Sequence, residues 1–309
     1  HHQQVTSFFR EMVPRSMGVG REVNAVDSAG RVFPVEIGLS PVVTSAGPRV
    51  VAAIMDITER KRRERESTLA RLVQEAMLPD IPGAIPGLDV AARSDPADAT
   101  GGDFYDLVRF ADGRVGIVIG DASGHGFAAA LVTATARSYL RALVRTESDL
   151  GDILRLTNSL LMEDVLDNRF VTLLFAVIDP HAMELVYAGA GHAGYLLDRA
   201  GRLKDALDNN GLPLGWQAGT EYPVTKVPLE EGDLVVLLTD GIEEAMNPDG
   251  NQFGQQRILD LLSSVKDMPA TEIVGALHKA VQDFNEVGCP HDDATVLVAR
   301  VVGGQSDRR

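Results

Sequence analysis

Val115-Gly116-Ile117-Val118-Ile119-Gly120-Asp121-Ala122-Ser123-Gly124-His125-Gly126 is the stretch on which the reading turns. Its first five residues have the β-branched, apolar character of a buried strand. The run then breaks into glycines around a single aspartate. A carboxylate is thereby placed at the end of a buried strand, where backbone geometry can hold it. Neither GxxxxGK[ST] nor GxGxxG lies at a strand-to-helix turn in the chain, so nucleotide binding through a phosphate loop has no support.

Three other stretches repeat the arrangement. The apolar run 234–238 ends in Thr239-Asp240-Gly241, and Asp292-Asp293 comes just before the run 295–301. Gly101-Gly102-Asp103-Phe104-Tyr105-Asp106 comes just before Leu107-Val108. One Asp-Gly pair is an ordinary turn. Several carboxylates gathered at strand ends repel one another and are tolerated when a cation neutralises them. All-oxygen ligands favour Mg²⁺ or Mn²⁺ over Zn²⁺. Two such ions can lower the pKa of a shared water and orient it for in-line attack on phosphorus. The pattern leaves both the turn and the metal reading open.

The flanking sequence organises around this core. Residues 1–57 read as β-rich, with strands expected near 21–26, 32–39 and 50–54 and a turn at Asp27-Ser28-Ala29-Gly30. Residues 58–77 carry dense mixed charge without Gly or Pro, followed by Leu69, Leu72 and Ala76 at heptad-like spacing. That spells one helix, either a dimer-forming seam or a solvated linker, stopped by Pro79 and Pro82. From about residue 87 to 302, strands (115–119, 170–178, 185–188, 234–238, 295–301) mix with helices near 128–145, 151–167, 255–264 and 270–285. Asp179-Pro180-His181-Ala182 joins two adjacent strands as a hairpin, so antiparallel pairing is expected there.

Composition narrows the partners. The net charge of -15 argues against nucleic acid or an anionic membrane surface. A single cysteine, Cys289, excludes an intrachain disulfide and fits a reducing, cytoplasmic setting. No stretch reads as a transmembrane helix, and no signal peptide is visible.

In order and content, the four acidic motifs resemble the SpoIIE/RsbU-type phosphatases, the bacterial branch of the PPM, or 2C-like, phosphatases. Asn158-Ser159-Leu160, Phe170-Val171-Thr172-Leu173, Ala190-Gly191-His192, Leu212-Pro213-Leu214-Gly215 and Phe253-Gly254 agree with that resemblance, which covers about residues 68–302. It implies an α+β fold with a central antiparallel β-sandwich flanked by helices, occupying residues 81–302. It implies hydrolysis of phosphoserine or phosphothreonine in a protein, with two Mn²⁺ or Mg²⁺ ions. Asp121 would bridge both ions with help from the Ala122 carbonyl. Asp103 would bind one ion, and Asp240 and Asp292 the other. Asp106 and Asp293 would be outer-shell or alternative ligands. Gly102, Gly124 and His125 would lie against the phosphate. A metal-bridging water, not a side chain, would attack.

The resemblance also implies a substrate, a phosphorylated anti-anti-sigma protein of the STAS type, and control by helices near the metal site, with Asp103 the movable ligand. For His125 a structural role is the favoured alternative to a phosphate contact or proton donation, and His192 is expected to be structural. Glu243 and Glu244 are expected to favour the start of a helix by their charge. The front segment resembles the C-terminal half of a PAS domain, whose Asp56-Ile57-Thr58-Glu59-Arg60 exit leads into a linker helix over 58–80. A homodimer through both pieces follows. The competing readings are a degenerate phosphatase that only binds phosphoproteins, a PAS-based dimerisation scaffold, and a metal-dependent phosphodiesterase.

Overall fold

Uninterrupted apolar strands, rather than alternating ones, fix the architecture of the larger part. In the computed structural model, residues 15–17, 23–45, 47–79, 81, 85–97, 100–124, 126–164, 169–285 and 292–303 are described. The chain divides into two compact units, 1–69 and 70–309.

The second unit holds two antiparallel sheets of five strands each. The first sheet runs β12 (Thr225–Pro228), β9 (Glu184–Ala190), β8 (Val171–Asp179), β7 (Val115–Ala122), β6 (Asp103–Arg109). The second runs β11 (Leu203–Leu207), β10 (Gly194–Leu197), β13 (Leu234–Leu238), β14 (Ala294–Val301), β5 (Leu88–Asp95). Ile117, Ile119, Leu174, Ile178, Val235, Leu237 and Leu297 meet in the layer between the sheets. Their chain neighbours Val118, Leu173 and Phe175 face α2 (Phe127–Leu143) and α3 (Leu150–Asp164). Val236, Val296 and Val298 face α5 (Gly254–Val265) and α6 (Ala270–Asn285) on the opposite side. Both faces of the central strands are therefore buried, which is why the sequence shows apolar runs there instead of period-two alternation. Each fully buried Leu or Ile contributes about 1.5–3 kcal/mol from apolar burial.

The expected sandwich flanked by helices is thus present, and the hairpin at residues 179–182 joins β8 to β9. Asp179 Oδ1 accepts from the amides of His181 and Ala182, which closes that turn. Several strands differ from expectation. β6 begins at Asp103 itself, so Asp106 sits within the strand rather than ahead of it. β5, β10, β11 and β12 carried no clear sequence signal, being short or only partly buried.

The first unit is an antiparallel sheet of four strands. β3 (Val32–Thr44) pairs on one side with β1 (Arg15–Met17) and β2 (Val23–Val26), and also with β4 (Gly47–Asp56). β3 is longer than the expected 32–39 and runs through Pro41, opposite Val50. Helix α1 spans Thr58–Met77, as its charge pattern predicts, and the division between the units falls within it. The Thr58 amide donates to Asp56 Oδ1 at 2.8 Å, a cap at the helix start. Arg62 pairs with Glu59 and Glu66 along the helix. These exposed pairs add only tenths of a kcal/mol each, roughly. No described helix is long and apolar enough to cross a membrane.

Candidate metal centre

Asp103 and Asp121 are direct partners across β6 and β7. Two residues along from each, Tyr105 and Ile119 lie in the layer between the sheets. By the period of two, both aspartates therefore face inward at one end of the sandwich. Asp240 stands two residues past the end of β13, as the first residue of a four-residue helix, α4 (Asp240–Glu243). Asp292 lies two residues before β14. Antiparallel pairing of β13 with β14 brings these last two to the same end.

Electrostatics report the gathering. Burial pushes the Asp121 carboxyl up to about 7, helped by the negative charges of Asp240, Asp292 and Asp293. Burial likewise raises Asp292, with Asp240 and Asp293 adding to it. Burial holds Asp103 well above the usual carboxylate range, against the hydrogen bonds of Thr295 and Thr239. Carboxylates that raise one another in this way offer oxygen donors of the kind a hard divalent cation takes. Among the described residues, no three of them close on one point as a finished cage. Their chemistry fits a hard cation, and any ion held there would need further oxygen ligands beyond these side chains.

The glycines explain the close approach. A Cβ at Gly102 would strike Asp121 Oδ1 and stand 2.7 Å from the Ala122 carbonyl oxygen. Only glycine lets the 101–103 segment lie against both proposed ligands. The Ala122 amide also donates to the Gly102 carbonyl at 3.1 Å.

Asp293 braces this segment. Its carboxylate accepts from the amides of Gly102 at 2.6 Å and Ala97 at 2.8 Å. That geometry suits the outer-shell role expected of it. Gln74 on α1 braces the same segment from another direction. Its side chain donates to the Gly101 carbonyl at 2.8 Å and accepts from the Gly101 amide at 3.1 Å. Sequence reading missed Gln74, because a lone helical glutamine carries no motif.

One expectation needs correction and another is sharpened. Asp103, expected to be the movable ligand, is firmly seated in this arrangement. It is 3% exposed, lies within a strand, and accepts from the Thr239 hydroxyl at 2.7 Å. Thr239 in turn accepts from the Thr295 amide at 2.9 Å. Asp106 is not available to a metal. Three positions after Asp103, it points to the other face of the sheet, toward α2. There it pairs with Arg137 at 3.1 Å and Arg141 at 2.6 Å. Asp106→Ala is expected to cost about 3 kcal/mol, by stranding the largely buried Arg137 without its partner, without weakening Mn²⁺ binding. Urea denaturation and calorimetric Mn²⁺ titration of the folded variant check both halves. Loss of Mn²⁺ binding in a folded Asp106→Ala protein would return Asp106 to the metal site.

The remaining expected residues fall as follows. Ser123 ties the 120–124 segment to the start of β8, donating from its amide to the Phe170 carbonyl and accepting from the Phe170 amide. Gly124 lies on the same segment and lines the cavity beside Asp121. His125 lies outside the described residues. The His192 ring is close to the Leu238 carbonyl at 2.9 Å and the Thr172 hydroxyl at 3.4 Å. A carbonyl only accepts, so Nε2 donates and a neutral Nδ1 accepts. Burial pushes the ring pKa down, which keeps it neutral, as a structural residue should be. Glu243 is the last residue of α4 and Glu244 its C-cap, so neither opens the helix as expected; Glu243 has another role. It accepts from the Tyr195 hydroxyl at 3.1 Å and faces the cavity. That cavity, about 520 Å³, opens over Asp121 and Asp240.

The comparisons with known proteins bear on the fold and the family. The family model for Stage II sporulation protein E (SpoIIE) matches residues 111–302, which include Asp121, Asp240 and Asp292. Phosphoserine phosphatase RsbU of Bacillus subtilis (strain 168) is 29% identical over 240 residues, covering 76% of this chain and 70% of the relative. The solved SiaA-PP2C domain of Pseudomonas aeruginosa superposes with a TM-score of 0.69 at 25% identity, over 79% of this chain and 99% of that one. The RsbU and RsbW domains of a Mycobacterium tuberculosis protein superpose with a TM-score of 0.64 at 26% identity, over 74% and 65% of the two chains. With well over half of its length matched by the family model, this chain belongs to the SpoIIE family.

Proposed function

We infer that this chain is a metal-dependent protein serine/threonine phosphatase of bacterial signalling, and that it acts on a phosphorylated STAS-type anti-anti-sigma protein. One observation carries the reading most directly. Asp121 is held opposite Asp103 and within the field of Asp240, Asp292 and Asp293, at the mouth of an open cavity. Two Mn²⁺ or Mg²⁺ ions bound there would supply a water of lowered pKa and offset the phosphate charge. Asp121 would hold both ions with help from the Ala122 carbonyl, Asp103 would hold one, and Asp240 and Asp292 the other. No side-chain nucleophile is assigned. Thr239 and Asp293 keep the ligands in place, and the 123–124 segment forms the wall along which a phosphate would enter.

Mn²⁺-dependent phosphate release from a phosphorylated STAS protein tests the proposal. Release that persists in excess EDTA, or a cyclic dinucleotide turned over in preference to the phosphoprotein, would sink it. The degenerate-phosphatase alternative is disfavoured because every carboxylate of the expected set is present.

We further propose that residues 1–57 are a partial PAS segment, that the protein is a cytoplasmic homodimer, and that α1 carries a dimer-dependent signal. Leu69 and Leu72 on α1 are 63% and 55% exposed, as an unfilled seam would be. The two-point contact of Gln74 with Gly101 gives the helix a hold on the metal segment. Gln74→Ala is expected to lower phosphatase activity about tenfold, with half-saturation shifted to higher Mn²⁺. Steady-state rates against Mn²⁺ concentration check this. A strict monomer in sedimentation, equally active with and without residues 1–77, would exclude the coupling.

A further inference from the structure

Beside the metal-bearing end of the cavity stands a rim that the chemistry above does not use. The lining residues include Asp121, Asp240 and Glu243 but no lysine or arginine. Arg169 lies directly against two of them. Its Nη1 donates to the Ser123 carbonyl at 3.2 Å and sits 3.0 Å from where a Gly124 Cβ would be. A planar guanidinium carries five N–H donors, more than one carbonyl can use.

The next residue, Phe170, lines the cavity and meets Trp216 edge-on, with centroids 4.9 Å apart. Trp216 is 57% exposed, yet its loop is tightly held. The fully buried Asn158 accepts from the Gly215 amide at 2.7 Å and donates to the Gln217 carbonyl at 2.9 Å, spanning Trp216 on both sides. Leu214 and Val171 exchange two backbone hydrogen bonds, fastening the loop to the start of β8. A buried asparagine thus immobilises a loop that presents a large indole to solvent. Rigid Trp and Arg side chains beside a pocket are the groups that dominate recognition of polypeptides.

We propose that Arg169 and Trp216, with Phe170 between them, form a specificity rim that grips the substrate polypeptide around its phosphoserine. The indole takes an apolar side chain of the substrate. The guanidinium takes a carboxylate, supplying the positive charge that the acidic cavity wall lacks. The proposal rests on the phosphatase reading and deepens it by naming what the substrate must carry next to the phosphate.

The test uses the full chain with Mn²⁺ and two substrates. One is p-nitrophenyl phosphate. The other is a phosphoserine peptide with aspartate before and leucine after the phosphoserine. Arg169→Ala and Trp216→Ala are each expected to lower the ratio of peptide to p-nitrophenyl phosphate kcat/KM about tenfold, through the peptide KM, and Trp216→Phe to restore most of it. Trp216 is the only tryptophan in the chain, so its fluorescence reads the rim directly. Titration with the unphosphorylated peptide should give a saturable change in the wild type that is weakened in Arg169→Ala. A substrate ratio unchanged in both variants, or no fluorescence change, would overturn the rim. Failure of the wild type to hydrolyse p-nitrophenyl phosphate at all would count against the phosphatase reading instead.

Discussion

Asp121→Asn is expected to abolish Mn²⁺-dependent phosphate release, by at least about a thousandfold, while leaving the sandwich intact. The side chain keeps its size, so the packing between the sheets is undisturbed. What it loses is the charge and the second oxygen that make it the proposed bridge. The same variant makes a second prediction of opposite sign. The folded protein raises the Asp121 pKa to about 7, well above the usual carboxylate range. A raised carboxyl pKa means the folded state binds the proton more tightly than the unfolded chain does. Metal-free wild type is therefore destabilised as pH rises from about 4 through about 7, and the cost is fully present above that. Asn carries no such charge. Metal-free Asp121→Asn should therefore melt at or above the wild-type temperature at pH 8, and that margin should shrink toward pH 5. Saturating Mn²⁺ should raise the wild type selectively. Calorimetric scans with and without EDTA, beside phosphate release assays, separate the outcomes. An active Asp121→Asn enzyme would remove the bridge. A metal-free variant clearly less stable at pH 8 would show that Asp121 is structural.

What could be read from the sequence followed from how strongly each segment is constrained. Strands β7, β8, β13 and β14 are buried on both faces, so they appear as unbroken apolar runs that admit no other reading. The charge-dense α1 has no breaker between Thr58 and Met77, and its limits are legible to the residue. β10 and β12, with four residues each, lean on neighbours for their pairing and leave little local trace. The site divides in the same way. The aspartates of the metal centre fall at strand ends and belong to recognisable motifs. Asp106 lies within such a motif too, and spacing alone could not show that an odd step along a strand turns it to the opposite face. Only the pairing of β6 with β7, and the arginines of α2, settle its role. Gln74, Asn158 and Trp216 act through tertiary contacts to backbone groups 27 to 59 residues away, or through a neighbouring ring, and no local pattern encodes that.

Gly102→Ala is the second variant with a large expected effect, and it tests the site without removing any ligand. The added Cβ meets the Asp121 carboxylate and lies 2.7 Å from the Ala122 carbonyl oxygen, closer than such atoms approach. The segment cannot simply retreat. The Gly102 amide is fixed to Asp293 at 2.6 Å, and Gly101 is fixed to Gln74 at both its amide and its carbonyl. One of the two proposed ligands must therefore give way, by an amount comparable to the overlap. Misplacement on the order of 1 Å costs roughly a hundredfold in rate. The expectation is a hundredfold loss of phosphate release at saturating Mn²⁺, with weaker Mn²⁺ binding by calorimetry and a normal far-ultraviolet circular dichroism spectrum. Gly113→Ala is the matched control. Gly113 has φ +92 in the turn between β6 and β7, with nothing within 4 Å of its Cβ position. Its substitution strains the backbone and costs stability, about 1 kcal/mol, but leaves the ligands where they are. A large activity loss in Gly102→Ala beside near-normal turnover in Gly113→Ala locates the effect at the ligands rather than in general destabilisation of the β6–β7 hairpin. Equal losses in the two would mean that hairpin stability, and not the placing of Asp121 and Ala122, governs the reaction.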